Sequence, residues 1–311
     1  MKRALLIALY LVLICQASNA QRRWNMRPDV ATADTILAYQ FPSTLEINYL
    51  LAAYKQFREE RFRQGALRGI RYLLAMQYDN GGWPQFWPAR HAGYDNVKAY
   101  AHFITFNDNA MVNAMRVLRN VAEDKEPYTL LEASQALKDS CQRAFDKGIE
   151  CILRCQIVTD GKLTVWCQQH NDKTLAPEHA RAYELPSYCS AESASIVELL
   201  MSLPNPDQKV IKAVDAAMEW FEKTKIMGLR TNFTRKADGK WQRDIIEDPN
   251  AGPLWARFYD LKNCEPFFCD RDGIPRKKLS EIGDERRNGY GWYNDNAAKL
   301  FREYEVWKAK L

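Results

Sequence analysis

Strand-like alternation of apolar and polar residues is scarce in this chain. It is confined to short pieces such as residues 162–167 and 241–246, which argues against a sheet-built domain. After residue 14 no apolar run is long enough to cross a bilayer, so no transmembrane segment is expected. No stretch rich in proline, serine or glycine separates one half from the other, and a single domain over residues 21–311 is expected. Basic runs are missing. The 44 Lys+Arg against 39 Asp+Glu leave a formal net charge of +5, which argues against a dedicated nucleic-acid binder. The same total is compatible with a locally basic groove for an acidic ligand. Ser-His-Asp and Cys-His constellations are absent around the polar clusters described below. The short Cys and His spacings of a zinc site are absent as well.

What is present begins with Met1-Lys2-Arg3, an apolar run over residues 4–14, and Ser18-Asn19-Ala20. This is the pattern of a secretory signal peptide over residues 1–20, and a secreted or periplasmic monomer is expected. The chain has eight cysteines, of which Cys15 lies in that leader. An exported compartment permits disulfides, and the odd remainder leaves at least one thiol free or paired between chains. Most read as core thiols. Cys264 and Cys269, flanking a loop, form the local disulfide candidate.

A weak repeat gives the architecture. Residues 68–77 precede Asn80-Gly81-Gly82-Trp83, and residues 147–156 precede Asp160-Gly161. A fainter copy over residues 214–221 precedes Asp238-Gly239. The glycines recur about 80 residues apart, room for a helical hairpin and long loops. Residues 45–57, 110–121, 193–201 and 296–308 place apolar side chains at three- and four-residue spacing, as amphipathic helices do. The expected fold is all-α: an α/α toroid of inner and outer helices, with a pocket built from loops at one end.

Several polar clusters sit in those loops. Residues 104–110 crowd Asn107, Asp108 and Asn109 ahead of a helix, where they can serve as an N-cap or as oxygen ligands for a cation. His170 reads as a structural histidine or as a ligand or base. Arg181 with Glu184 reads as a local ion pair. Arg257 and Arg271 can pair with Asp260 and Asp272, and Trp83 and Trp87 can be simple packing. Together, arginines, oxygen ligands and aromatics suit an anionic, ring-shaped ligand, because guanidinium forks pair with carboxylates and Asp and Asn oxygens hold a hard cation.

At these residues the sequence resembles the family 10 polysaccharide lyases, which are pectate lyases. The resemblance rests on Gln77-Tyr-Asp-Asn-Gly-Gly-Trp-Pro-Gln85, Ile104-Thr-Phe-Asn-Asp-Asn-Ala-Met111, Val165-Trp-Cys-Gln-Gln-His170, Ala180-Arg-Ala-Tyr-Glu-Leu-Pro-Ser187, Leu254-Trp-Ala-Arg-Phe-Tyr-Asp260 and Gly289-Tyr-Gly-Trp-Tyr293. It implies an α/α toroid and a calcium-assisted β-elimination on the acidic polysaccharide polygalacturonate (pectin). Arg181 matches the family's base, Asp108 its Ca2+-binding aspartate, and Arg257 and Arg271 its substrate-binding arginines. Asn109 and His170 are expected at the substrate. The chain departs from the family in two places. An acidic segment ahead of the helix starting near Thr44 is missing, so that the chain runs through Phe41-Pro42 into Ser43. Asn171 follows His170 where the family tends to have Asp. Since carboxylate count raises calcium affinity, these departures imply weak or substrate-dependent Ca2+ binding. They leave a second reading, a catalytically weakened homologue that binds pectic oligosaccharides.

Two further readings come from other classes. Residues 68–83 resemble the Gln-Trp repeats of triterpene cyclases, where Gln caps a helix end and Trp packs beneath it, but the Asp-x-Asp-Asp motif is absent. A glycoside hydrolase would need two opposed carboxylates, for which Glu46, Glu184 and Asp108 are candidates.

Overall fold

A computed structural model describes residues 28–38, 43–85 and 99–311. The signal-peptide segment, the junction at Phe41 and the Trp87 turn lie outside the described residues. The α-helices among them are α1 (Val30–Leu37), α2 (Thr44–Phe57), α3 (Glu60–Ala75), α4 (Ala110–Ala122), α5 (Gln135–Cys155), α6 (Ser190–Met201), α7 (Gln208–Thr224), α8 (Asp284–Gly289) and α9 (Ala298–Lys308). The amphipathic stretches of the sequence fall on α2, α4, α6 and α9, with boundaries within three residues. The chain divides into two compact units.

The first unit comprises the described residues up to Ala75 together with Val117–Arg143. Asp29 caps α1 by accepting from the Thr32 backbone N–H at 2.8 Å. Glu46 folds back to accept from the Ser43 backbone N–H, closing a capping box that starts α2 where the sequence places it. Arg58 ends α2 in the left-handed region. Ile47, Leu50, Phe62, Ala66 and Ile70 form a fully buried seam between α2 and α3. At four-residue spacing along α3, Phe62, Ala66 and Ile70 lie on one face.

The second unit, Met76–Arg116 with Ala144–Leu311, contains every residue singled out for function except Glu46. Here the repeat becomes physical. Gln77 Nε2 donates to the carbonyls of Gly81 (3.0 Å) and Ala144 (2.8 Å). Gln156 Nε2 donates in the same way to Thr164 (2.8 Å) and Ala213 (2.9 Å). Gly81 has φ +91°, and an added Cβ would lie 2.1 Å from the Lys147 carbonyl oxygen, so only glycine fits there. Trp83, Trp166, Trp255 and Trp292 are all essentially buried. Trp166 donates through Nε1 to Ile152 and Trp255 to Phe221, which satisfies the polar end of each buried ring. The third copy differs from expectation: α7 is present, but Gly239 (φ +81°) turns a β-hairpin of Leu229–Arg235 and Trp241–Glu247.

Short antiparallel ladders carry the loops. Ile104–Thr105 pairs with Gln169–His170, and Tyr188–Cys189 pairs with Phe258–Tyr259. Beneath them Tyr183, Phe258, Phe268, Tyr290 and Trp292 pack edge to face and stacked, and each such buried aromatic contributes roughly 2–3 kcal/mol. Cys264 and Cys269 are free thiols, a correction to the disulfide expectation. Cys264 turns toward Trp220, whereas Cys269 faces the Ala182 and Asp270 carbonyls.

Candidate active site

The chain enters the site along the ladder at Ile104–Thr105. The backbone N–H groups of Phe106 and Asn107 both donate to the Gln168 carbonyl, at 2.8 and 2.9 Å. Asp108 and Asn109 then take left-handed conformations, φ +53° and +59°, before α4 begins. Asp and Asn tolerate this region better than other non-glycine residues, and two in succession turn the chain sharply into α4. Instead of capping α4, the Asp108 carboxylate lies 3.7 Å from Arg181 Nη2. Burial lifts its pKa against the pull of Arg257 and Arg181, with Glu192 and Glu184 adding to the rise. The side chain nonetheless reaches the surface, at 37% exposure. The Oδ1 atom of Asn109 is buried without a hydrogen-bond partner.

Arg181 is held from three sides. Its Nε lies 3.3 Å from Glu184 Oε2, and Nη1 donates to the Tyr183 hydroxyl at 3.0 Å. Glu184 is fully buried; it accepts the Arg181 backbone N–H at 2.9 Å and the Tyr290 hydroxyl at 2.8 Å. The local ion pair read from sequence is therefore one edge of a larger network. Burial alone would lower the Arg181 pKa, but Glu184 and the two phenols outweigh it and the guanidinium is held charged.

Arg257 is fixed by two ladders, its N–H donating to Trp292 and its carbonyl accepting from Ser190. Its Nη2 donates to Glu192 and, at 3.2 Å, to Asn107 Oδ1. The guanidinium lies over the Tyr290 ring at 4.8 Å. Glu192 also accepts from the Cys189 thiol at 2.6 Å. Arg271 lies farther out: it is 64% exposed, doubly bonded to Glu285 at 2.8 and 2.9 Å, with its guanidinium carbon 5.9 Å from the Tyr183 ring. Asp260 and Asp272 do not pair with these arginines. Asp260 accepts loop backbone N–H groups and Asp272 binds Arg276.

His170 requires a correction. Its ring is fully buried; Nε2 accepts from the Cys167 N–H at 3.1 Å and Nδ1 lies 2.9 Å from the Leu175 carbonyl. Both nitrogens are consumed by backbone, so it is the structural histidine and not a substrate contact. Burial pushes its pKa down to about 4. Asn171 accepts the Lys173 and Thr174 N–H groups in its own turn and donates through Nδ2 to Glu178 at 3.0 Å, so its contacts lie within its own loop, and Asp could fill only the accepting part of that role.

Among the described residues no three His, Cys, Asp or Glu side chains gather as a metal site. The oxygens that fit calcium are the Asp108 carboxylate and the unpartnered Asn109 Oδ1. Calcium takes 6–8 oxygens, so this donor set suits a cation only as part of a shell completed by ligand oxygens and water. Of the three candidates for a pair of opposed carboxylates, Glu184 is tied to Arg181 and Glu46 caps its own helix. Sequence reasoning missed Glu192 and underrated Glu184 and Tyr290. Tyr290 stands inside a quoted motif, and Glu192 carries no signal beyond an acid in the first turn of a helix.

Helical hairpins here bring an arginine-carboxylate network to a set of loop ladders, the framework of a helical enzyme active site. The chain belongs to the pectic acid lyase family, whose profile matches residues 15–301. It is similar to the family 10 polysaccharide lyase from Cellvibrio cellulosa, with 27% identity and a TM-score of 0.80 over 93% of this chain and 95% of that one. An aspartate-to-alanine mutant of that lyase, solved in complex with trigalacturonic acid, matches with the same identity and TM-score over 94% of this chain and 97% of its own. No curated protein matches the chain. The fold class is the helical toroid class of these lyases, and the chain is a lyase of pectate-lyase-like function.

Proposed function

We propose that this lyase cleaves polygalacturonate by β-elimination: Arg181 removes the C5 proton, the C5–H electrons form the C4–C5 double bond as the C4–O bond breaks, and the departing oxygen takes a proton from water to become the hydroxyl of a new reducing end, leaving an unsaturated oligogalacturonide. The observation that carries the reading is the convergence of Arg181 on Asp108 at 3.7 Å, with Arg257 tied to the adjacent Asn107. The trigalacturonic acid bound by the similar lyase supports the substrate class. Arg257, fixed by Glu192 and Asn107 with its Nε buried and unpartnered, pairs with a uronate carboxylate and stabilises the charge that develops when C5 loses its proton. Arg271 stands at the rim, where a second carboxylate displaces or shares Glu285. Asp108 and Asn109 would hold Ca2+, which supplies further positive charge beside the reacting carboxylate. Glu184 holds Arg181 protonated, so its action as base requires substrate binding to shift the guanidinium or offset that carboxylate. Export through a signal peptide, a single catalytic domain over residues 21–311 and a monomer belong to the same proposal. No helix of the described residues is long and apolar enough to cross a membrane.

The test is growth of absorbance from the C4–C5 double bond on polygalacturonate, with calcium and with a chelator. Product is expected with calcium and its loss with chelator. Arg181→Ala should lower kcat by about 1,000-fold, the range for a proton-transfer group, while substrate affinity stays within a few-fold. The firmly charged Arg181 favours one other reading, the weakened homologue that binds pectic oligosaccharides. Binding without product would establish it.

A further inference from the structure

We infer that the hairpin of Leu229–Arg235 and Trp241–Glu247, with the basic cavity at its base, is a second binding site for anionic sugar rings that holds a polyuronate chain beyond the reacting unit. The inference rests on the polygalacturonate reading above and extends it to a part of the chain without an assigned role.

The register sets Phe233 opposite Arg243 and Arg235 opposite Trp241. Directly opposed residues share a face, as do residues two apart, so one face of the hairpin alternates two aromatic rings with two guanidiniums. Phe233 is 55% exposed and Trp241 62%. Large aromatics left open to solvent on a hairpin mark a binding surface. Arg243 lies 5.2 Å from the Phe233 ring. Most nearby carboxylates are committed elsewhere: Asp248 to Arg230, Asp284 to Lys236 and Arg287, Asp238 to Lys240, and Asp244 to Gln242, while Glu247 shares this face but sits opposite Leu229, at the far end of the ladder from Trp241. Arg235 donates to the Gly239 carbonyl and Arg243 to the Tyr290 carbonyl, and neither has a carboxylate partner among the described residues. The half of the face nearer the turn therefore presents two guanidiniums between flat apolar rings, with no acid among them.

At its base lies a cavity of about 240 Å³ lined by Arg243, Lys277, Lys278, Ser280, Arg287 and Tyr293, with Asp244 its one acid. The buried Nε atoms of Arg243 and Arg287 lack partners. Buried donors left unpaired are costly and are normally satisfied by a ligand or by water. The volume is below that of drug-sized pockets and suits a single ring. One residue links the cavity to the candidate active site. Arg243 binds the carbonyl of Tyr290, whose ring lies beneath Arg257. A chain of alternating rings and carboxylates matches this arrangement, because each ring finds an aromatic face and each carboxylate a guanidinium or ammonium.

The experiment compares binding of trigalacturonate and of long polygalacturonate by calorimetry, for the wild-type protein and for Trp241→Ala and Lys278→Gln. Both variants alter exposed side chains, and circular dichroism checks that they fold. The wild-type protein is expected to bind the long chain at least about tenfold tighter per chain end than the trimer, and each variant to lose most of that gain, as truncation of an aromatic or charged anchor does. If trimer and long chain bind the wild-type protein equally, or if both variants keep the full gain, the hairpin site is overturned while the polygalacturonate reading stands. If no galacturonate of any length binds, that reading fails and the hairpin site falls with it.

Discussion

In the loop over residues 166–178 the backbone N–H of Cys167 donates to His170 Nε2 at 3.1 Å; in the loop over residues 255–267 that of Ala256 donates to the Tyr259 hydroxyl at 3.1 Å. The parallels continue. Leu175 and Cys264 both have positive φ, +62° and +56°, and both donate to the carbonyl four residues earlier at 3.0 Å. Asn171 and Asp260 both accept the N–H groups two and three residues on. His170 bridges Pro177 as Tyr259 bridges Pro266. One backbone plan is used twice, and the residue two places after the tryptophan differs. In the first loop it is Gln168, fully buried with both side-chain polar atoms unpartnered. In the second it is Arg257, paired with Glu192. The scaffold supplies position, and a single side chain supplies charge. The difference between the copies is the charge that the proposed reaction uses.

The comparison can be broken by making the loops alike. Arg257→Gln gives the second loop the side chain of the first, removes the fixed positive charge and leaves Glu192 without its partner. Initial rates on polygalacturonate should fall by about 100-fold or more, the loss typical of one electrostatic stabiliser. Activity within tenfold of wild type would mean that charge at this position does not separate the loops. A smaller effect sharpens the contrast between His170 and Tyr259. The folded-state pKa of His170 is near 4, below the ordinary value of 6.5, so the unfolded chain binds the extra proton first as pH falls. Its contribution is fully present above about pH 6.5 and is lost toward pH 4, roughly 2 kcal/mol by pH 5. Denaturant unfolding at pH 7.5 and 5.0 measures it; equal stability at the two values would mean the ring is not held neutral. Smallest of all should be Asn171→Asp, which copies Asp260 into the first loop. Because a carboxylate would replace the amide that donates to Glu178, stability should fall by about 1 kcal/mol, while the calcium requirement of turnover should not change.

Much of this molecule was legible because it is locally encoded. The three- and four-residue spacing located α2, α4, α6 and α9, and the two glycine turns marked the ends of the repeats. Trp241–Glu247 showed as a strand through its alternation. Its partner Leu229–Arg235 did not, because its polar alternation around Leu229 and Phe233 lacks a core face. The site divides in the same way. Asp108, Arg181 and Arg257 announced themselves through motifs. Glu192 is 65 residues from Arg257, and Glu184 is 106 from Tyr290, so their partnerships exist only after the loops are brought together. His170 failed in the opposite sense: its motif is genuine, but the motif encodes a loop and not a ligand. The Cys264–Cys269 pairing failed because closeness in sequence says nothing of the direction in which two thiols point.

The two glutamine forks have a consequence for how this unit withstands damage. Gln77 and Gln156 each use one amide nitrogen to hold both their own turn and a carbonyl in the next long helix. Ordinary helix ends fray alone, because their last bonds concern nobody else. Here the opening of either turn also uncovers a carbonyl in its successor, so the cost of opening one turn includes a bond made to the next long helix. A sequence of separate helical pairs is thereby latched, each to its successor.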